Sequence, residues 1–276
     1  MSSNDLSPEY FELLAKFLRQ ESGIILKPEK SYSLRSKLQP LAQEWGYEGL
    51  NDLVTHIYRE RQNPEVVDAI LNALTIKETS FFRDDKPFDV LRSRILPDLA
   101  EKRGKKELKL WSAACSTGQE AVSLAILLRE VLPADRANRS LVFGTDVSAE
   151  AIDRAKQAVY SELEMRRGVT PEVRRRFFEP VDEGYRPTKE VLNLIRFREM
   201  NLLEPDYPLS RFDVVLCRNV LIYFDDDGKR RALDNIHRRM ADDGYLFTGA
   251  GEDAQRMDDR FQRERVDGVQ CFRKGS

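Results

Sequence analysis

The sequence predicts a small all-α domain followed by a doubly wound α/β domain that carries a small antiparallel β insertion. Three observations lead there. Apolar residues recur at helical spacing up to about residue 75. From Lys105 short apolar strands alternate with amphipathic helices, the pattern of a parallel sheet covered on both faces. Residues 168–200 then interrupt that alternation with two strand-like runs around a polar turn. The expected boundaries are 1–75 for the helical domain, 76–104 for a linker and helix that contribute to the ligand site, and 105–276 for the α/β domain with its insertion at about 168–200.

In chain order, Ser7 is placed to cap a helix with Pro8 at its first position, and Tyr10, Phe11, Leu14, Phe17 and Leu18 then share one face until Gly23 stops it. Leu34, Leu38, Leu41 and Trp45 form a second stripe, and Leu50, Leu53, Val54 and Ile57 a third. Asn63 and Pro64 open a fourth helix whose apolar face is Val67, Ile70, Leu71 and Leu74. ELKLWSAAC is the first strand and its exit, and QEAVSLAILLREVL a covering helix. SLVFGTD is the second strand, and SAEAIDRAKQAVY the next helix. In the insertion, RRRFFEP and LNLIRFRE read as strands flanking DEGYRPTKE. FDVVLC, a helix around Ala232 to Met240, and YLFTGAG continue the parallel series. Asp267-Gly268 marks a closing hairpin.

Composition narrows the function. Lys+Arg 45 against Asp+Glu 47 leaves a net charge of −2, without the positive field of a nucleic-acid binder. The longest apolar runs, such as Ala121 to Leu128, are too short for a bilayer, and the first ten residues have no signal-peptide pattern, so a cytoplasmic protein is expected. Cys115, Cys217 and Cys271 are widely spaced, which fits reduced thiols better than a disulfide framework or a zinc site, and no metal is expected. With only His56 and His237, a histidine-centred active site has little to build on.

Candidate ligand residues fall at strand ends, where a doubly wound sheet binds its ligands. The first strand runs into Ser116-Thr117-Gly118-Gln119-Glu120, which lacks the G-x-G-x-x-G of a diphosphate cradle. S-adenosylmethionine (SAM) needs no such cradle, and Glu120 could serve its sulfonium or amine; Glu120 is equally an ordinary charge in a helix's first turn. Asp146 ends the second strand, where a carboxylate can accept from both hydroxyls of a ribose, or belong to the turn that starts the next helix. Asn201 and Arg218-Asn219 end later strands, and their convergence on one sheet edge favours a nucleoside site.

Residues 75–83 (TIKETSFFR), WSAACSTGQE, FGTDVS, MNLL and CRNVLIYF occur in the order and spacing of the chemotaxis-receptor glutamate O-methyltransferases (CheR-type). The chain resembles that family over practically its whole length. The resemblance implies a Rossmann-like methyltransferase domain with a β subdomain behind an all-α domain, and SAM as cofactor without a metal. It implies cofactor contacts at Lys77, Thr79, Arg83, Glu120, Asp146, Asn201, Leu202, Arg218 and Asn219. Arg218, Asn219 and Tyr223 are the expected residues around the substrate carboxylate; Tyr223 also reads as a packed strand-end aromatic. The implied partner is the cytoplasmic helical region of chemoreceptors, met by a monomer through Lys27, Lys30, Arg35 and Lys37, with neither nucleic acid nor membrane insertion involved. The sequence departs from the family pattern at Lys77, where Asn is common, and at Ala121-Val122-Ser123, where Pro-Tyr-Ser is. An ammonium at Lys77 must point at the cofactor carboxylate or at solvent to avoid the sulfonium. The alternatives are a cofactor-binding regulatory module without turnover, suggested by those departures, and a methyltransferase acting on another substrate.

Overall fold

The computed structural model describes residues 6–204 and 211–275, with the side chains of residues 30–33 left out of the description. Four helices open the chain: α1 (Pro8–Ser22), α2 (Ser31–Glu44), α3 (Leu50–Arg59) and α4 (Pro64–Leu74). Leu14, Leu18, Leu38, Leu53 and Ile70 are fully buried between them, so the helical stripes do meet in one core. Asn63 accepts a hydrogen bond from the Glu65 amide and caps α4 as its sequence predicts. Ser7 makes no side-chain cap on α1, where only its carbonyl joins the helix by accepting from Phe11. In α4 the buried valine is Val66, and Val67 packs only partly, one position off the expected stripe.

The chain then passes through α5 (Lys86–Val90), a π-helical turn (Leu91–Ile95) and α6 (Leu96–Arg103) into the α/β region. There follow β1 (Lys109–Ala113), α7 (Gln119–Val131), α8 (Ala134–Ala137), β2 (Leu141–Asp146), α9 (Ala149–Gln157), α10 (Glu162–Arg166) and α11 (Pro171–Phe177). Next come β3 (Phe178–Val181), β4 (Gly184–Pro187), α12 (Lys189–Leu192), β5 (Ile195–Glu199) and β6 (Phe212–Cys217). The series closes with α13 (Asp226–Arg239), β7 (Met240–Thr248), α14 (Ala254–Met257), β8 (Phe261–Val266) and β9 (Val269–Lys274).

Seven strands form one sheet in the order β5-β2-β1-β6-β7-β9-β8; the first five are parallel, and β9 and β8 close one edge as the antiparallel hairpin expected around Asp267-Gly268. Successive residues alternate between two cores. Leu110, Val214 and Leu216 face one core with α7, while Trp111, Val215 and Cys217 face the other with α13. From β1 the chain moves outward to β2 on one side and later returns to β6 on the other. The loops leaving β1 and β6 therefore diverge and open a crevice at their carboxyl ends.

The insertion differs from expectation in three ways, one being that Gly184–Pro187, expected within the polar turn, is a strand. Arg174 to Phe177 are helical, because Thr170 caps α11 by accepting from the Val173 amide and Pro171 occupies its first turn. The small sheet is β3 against β4, with Asp182-Glu183 as its turn. LIRFRE is no part of that sheet: β5 is the edge strand of the main sheet, parallel to β2, and its one buried residue, Ile195, followed by exposed arginines produced the hairpin-like pattern. Paired hydrogen bonds of 2.9 Å between the backbones of Tyr160 and Tyr185 tie the small sheet to the main body. No helix of the described residues is long and apolar enough to cross a membrane.

Candidate active site

The crevice is a cavity lined by Thr79, Arg83, Glu120, Asp146, Asn201, Leu202, Arg218, Asn219 and Tyr223, nine of the residues singled out in the sequence. Six segments meet there: the end of α1, the 75–83 linker and the turns after β1, β2, β5 and β6. Gly118 starts α7 at φ +96°, where a Cβ would meet the Tyr160 hydroxyl and Ala155 at 3.0 Å. Ala114, Ser116 and Asn219, all on the cavity wall, also hold positive φ. Such backbone is costly for L-residues and concentrates where geometry is dictated by a site.

Asp146 is held by both oxygens, Oδ2 accepting from the Ser116 amide at 2.8 Å and Oδ1 from the Ser148 amide at 3.0 Å. Burial pushes its pKa up, against those backbone hydrogen bonds. Each oxygen keeps a lone pair for a ligand hydroxyl. Burial likewise raises Glu120, whose Oε1 accepts from Ser112 at 2.7 Å and whose Oε2 lies 3.3 Å from Arg218. Arg218 is 2% exposed and donates to the Arg83 carbonyl at 2.9 Å and to Asp84, while its buried Nε finds no partner among the described residues. Tyr223 is half-buried with its pKa raised by burial, which leaves a protonated phenol, a hydrogen-bond donor, at neutral pH.

Two expected residues have side chains already committed to protein partners. Lys77 is not part of the cavity lining: its ammonium pairs with Glu150 of α9 at 2.6 Å, and its carbonyl accepts from the Ser116 hydroxyl at 3.1 Å. The charge the sulfonium could not tolerate is thus turned to the outside of the wall. Asn201 lines the cavity but commits its amide to structure, donating to the Glu21 carbonyl at 2.7 Å and accepting from Leu203 at 2.9 Å. With the Ile25 amide on the Tyr223 carbonyl at 2.8 Å and Arg19 on Asp225 at 2.6 Å, this holds the end of α1 over the site, and Ser22 and Ile24 complete its wall.

Residues 77–269 match the family described as CheR methyltransferase, SAM binding domain, and residues 9–75 match CheR methyltransferase, all-alpha domain. The chain belongs to the CheR methyltransferase family. It is 36% identical over 269 residues to chemotaxis protein methyltransferase 1 of Vibrio cholerae, covering 96% of each chain. It is 37% identical over 265 residues to chemotaxis protein methyltransferase 1 of Pseudomonas aeruginosa, covering 95% of this chain and 94% of that one. SAM is its cofactor, and the cavity suits it: a half-buried carboxylate with lone pairs to spare for vicinal hydroxyls, a second for a cation, and apolar walls from Ile24, Val147 and Leu202.

The sequence reading missed Glu252, Ser112 and Asp84. Ser112 and Asp84 point at Glu120 and Arg218 from neighbouring elements, which no local pattern reveals. Glu252 accepts from the Asn219 and Ile222 amides of the loop after β6, and its one sequence signal is its place just past the end of β7.

Proposed function

We propose that this chain methylates glutamate side chains of chemoreceptors with SAM, and that the cavity residues divide the work as follows. Asp146 accepts the ribose hydroxyls, Glu120 faces the cationic end of the cofactor, and Thr79, Arg83 and Leu202 shape the remaining wall. Arg218 holds Glu120 and the Arg83 backbone in place, and Asn219 and Tyr223 orient the incoming carboxylate. The observation that carries this reading is the convergence of two half-buried carboxylates, both with raised pKa values, and a protonated phenol in one strand-end cavity of a CheR-family chain.

Bound SAM supplies an electrophilic methyl group on a cationic sulfur. A glutamate acceptor is already ionised at neutral pH, so the chain needs no side chain that removes a proton. Its task is alignment and exclusion of water, which is what hydrogen-bond donors on a recessed wall provide. A protein acceptor is favoured over a small molecule by the cavity rim, where Ile76 and Ile222 stand 50% and 53% exposed beside the opening. Two exposed apolar side chains at one opening suit a polypeptide surface that covers them together.

Under the same reading the protein works as a cytoplasmic monomer on the helical regions of receptors, without nucleic acid or membrane insertion. It divides at about residue 75, with the 76–104 segment serving the cofactor site. Its basic stretch faces the receptor. Lys27 is exposed; Arg35 is half-buried, and Lys37 is half-buried and donates to the Leu74 carbonyl at 3.0 Å. The side chain of Lys30 lies outside the described residues.

The test is transfer of radiolabelled methyl from SAM to receptor-containing membranes, followed by mild alkali. Base-labile label released as methanol is expected. Cofactor binding by calorimetry without base-labile transfer would instead establish the regulatory-module alternative, and label stable to alkali another substrate class.

A further inference from the structure

Glu252 is 1% exposed, yet it carries a carboxylate, and the partners of that carboxylate are main-chain amides. Its Oε2 accepts from Asn219 at 2.8 Å and from Gly249 at 2.7 Å, and its Oε1 from Ile222 at 3.1 Å. Two of these donors belong to the loop after β6, the segment that presents Arg218, Asn219 and Tyr223 to the cavity. Asn219 stands at φ +59°, a conformation an L-residue keeps only when its surroundings hold it. Gly249 lets the two loops approach: a Cβ there would lie 2.7 Å from Glu252 Oε2 and 3.0 Å from both nitrogens of Asn219. The carboxylate is itself anchored, because Thr248 donates its hydroxyl to the Glu252 carbonyl and the Glu252 amide donates to the Gly249 carbonyl at 2.9 Å.

We infer that Glu252 is a positioning residue for methyl transfer: it clamps the loop after β6 so that Asn219 and Tyr223 meet the acceptor carboxylate in one fixed geometry. The inference rests on the proposed roles of those two residues. A carboxylate is required because it alone presents enough acceptor capacity for three amides at once without bringing a donor against them. Glutamine replaces one oxygen with an NH₂ that faces an amide, and so keeps part of the clamp. Alanine removes all of it.

The experiment compares wild type, Glu252→Gln and Glu252→Ala by single-turnover methylation at saturating SAM and receptor, by SAM calorimetry, and by hydrogen exchange of the peptide spanning the loop after β6. The expected rate order is wild type, Gln, Ala, with Ala slowed by at least about tenfold, since a misplacement of ~1 Å at a reacting centre can reduce the rate about 10²-fold. SAM affinity should stay within about threefold. The Asn219 and Ile222 amides should exchange faster in Ala than in wild type while the β1 and β6 amides stay protected. Unchanged rates in a folded Ala variant overturn the inference, as does an exchange increase spread evenly over the sheet, which marks a general stability role. Exchange reports on the clamp even if wild type fails to methylate receptor, so failure of the proposed function is separately visible.

Discussion

Two arginines in this chain each bridge two acidic side chains, at opposite ends of the same sheet, and they are built to opposite ends. Arg103 joins Asp213 through Nε at 2.8 Å and Asp243 through Nη1 at 2.9 Å, and Asp213 also accepts from the Lys109 amide at 2.9 Å. Its donors are satisfied, it is 21% exposed, and its hydrogen bond pulls the Asp243 pKa below the ordinary carboxylate range. Arg218, at the carboxyl ends of the strands, is almost fully buried, sits 3.3 Å from Glu120, and leaves Nε unsatisfied among the described residues, while burial pushes Glu120 up in spite of it. The first cluster is complete without a ligand and ties β1, β6 and β7 together. The second keeps hydrogen-bonding capacity and an uneasy charge in reserve, which is what a binding site requires.

The largest effect should come from removing each arginine in turn. Arg218→Ala leaves Glu120 buried without its cation and should reduce stability by about 3–5 kcal/mol as well as abolish methylation. Arg103→Ala should reduce stability by about 1–3 kcal/mol through unpaired, partly buried acceptors. Its SAM affinity should remain within about twofold of wild type, and a larger change in calorimetry would show that the two clusters are not independent. Next in size is Asp146→Ala, which removes charge-assisted hydrogen bonds of about 1.5–3 kcal/mol and should weaken SAM about tenfold or more. An unchanged dissociation constant in a folded variant would remove Asp146 from the site.

Acid separates the clusters by sign. In the roles proposed for them Asp146 and Glu120 act ionised, and their pKa values are raised; on that proposal SAM affinity should be full above those raised values and lost as pH falls through them. Asp243 is lowered, so the stability it contributes is present above its unfolded pKa and persists until pH falls through its lower folded value. On acidification SAM binding should fail before the fold does, as calorimetry and denaturant midpoints between about pH 4 and 7 would record. Simultaneous loss of both would sink the distinction.

Smaller effects lie outside both clusters. Lys27→Glu with Lys30→Glu should slow receptor methylation a few-fold at low salt, with the defect shrinking as salt screens surface charge and SAM binding unaffected. Because no side chain has to remove a proton, the single-turnover rate should vary little between about pH 6 and 8.5, and His237→Gln should leave it unchanged. His237 packs edge-on against Phe261 at 5.4 Å, away from the cavity, and burial lowers its pKa. A midpoint near neutrality that vanished in this variant would require a histidine base after all.

The helices of the first 75 residues and the strands of the parallel series were legible because each element buries a face, and burial imposes a period of its own on the chain. That Asp146, Glu120 and Asn219 would share one cavity was legible because the turns leaving the strands of an α/β sheet are where crevices open. RRRF was misread as strand because its cap, Thr170-Pro171, outweighs the β preference of the phenylalanines beyond it. LIRFRE was misassigned because a short edge strand with one buried residue has the same pattern in either sheet.

By itself the sequence determined the helices of the first domain and the strands of the parallel series outside the insertion, which strand ends carry polar groups, and through the order of its motifs the family. Only the tertiary structure decided that Lys77 turns to Glu150, that Asn201 holds α1, and that Glu252 reaches across to Asn219. Periodicity encodes the face a residue presents to its own element's neighbours. The partner a polar atom finds 30 or more residues away, as Glu252 finds Asn219 at a separation of 33, depends on how whole elements are packed, and no local pattern records it.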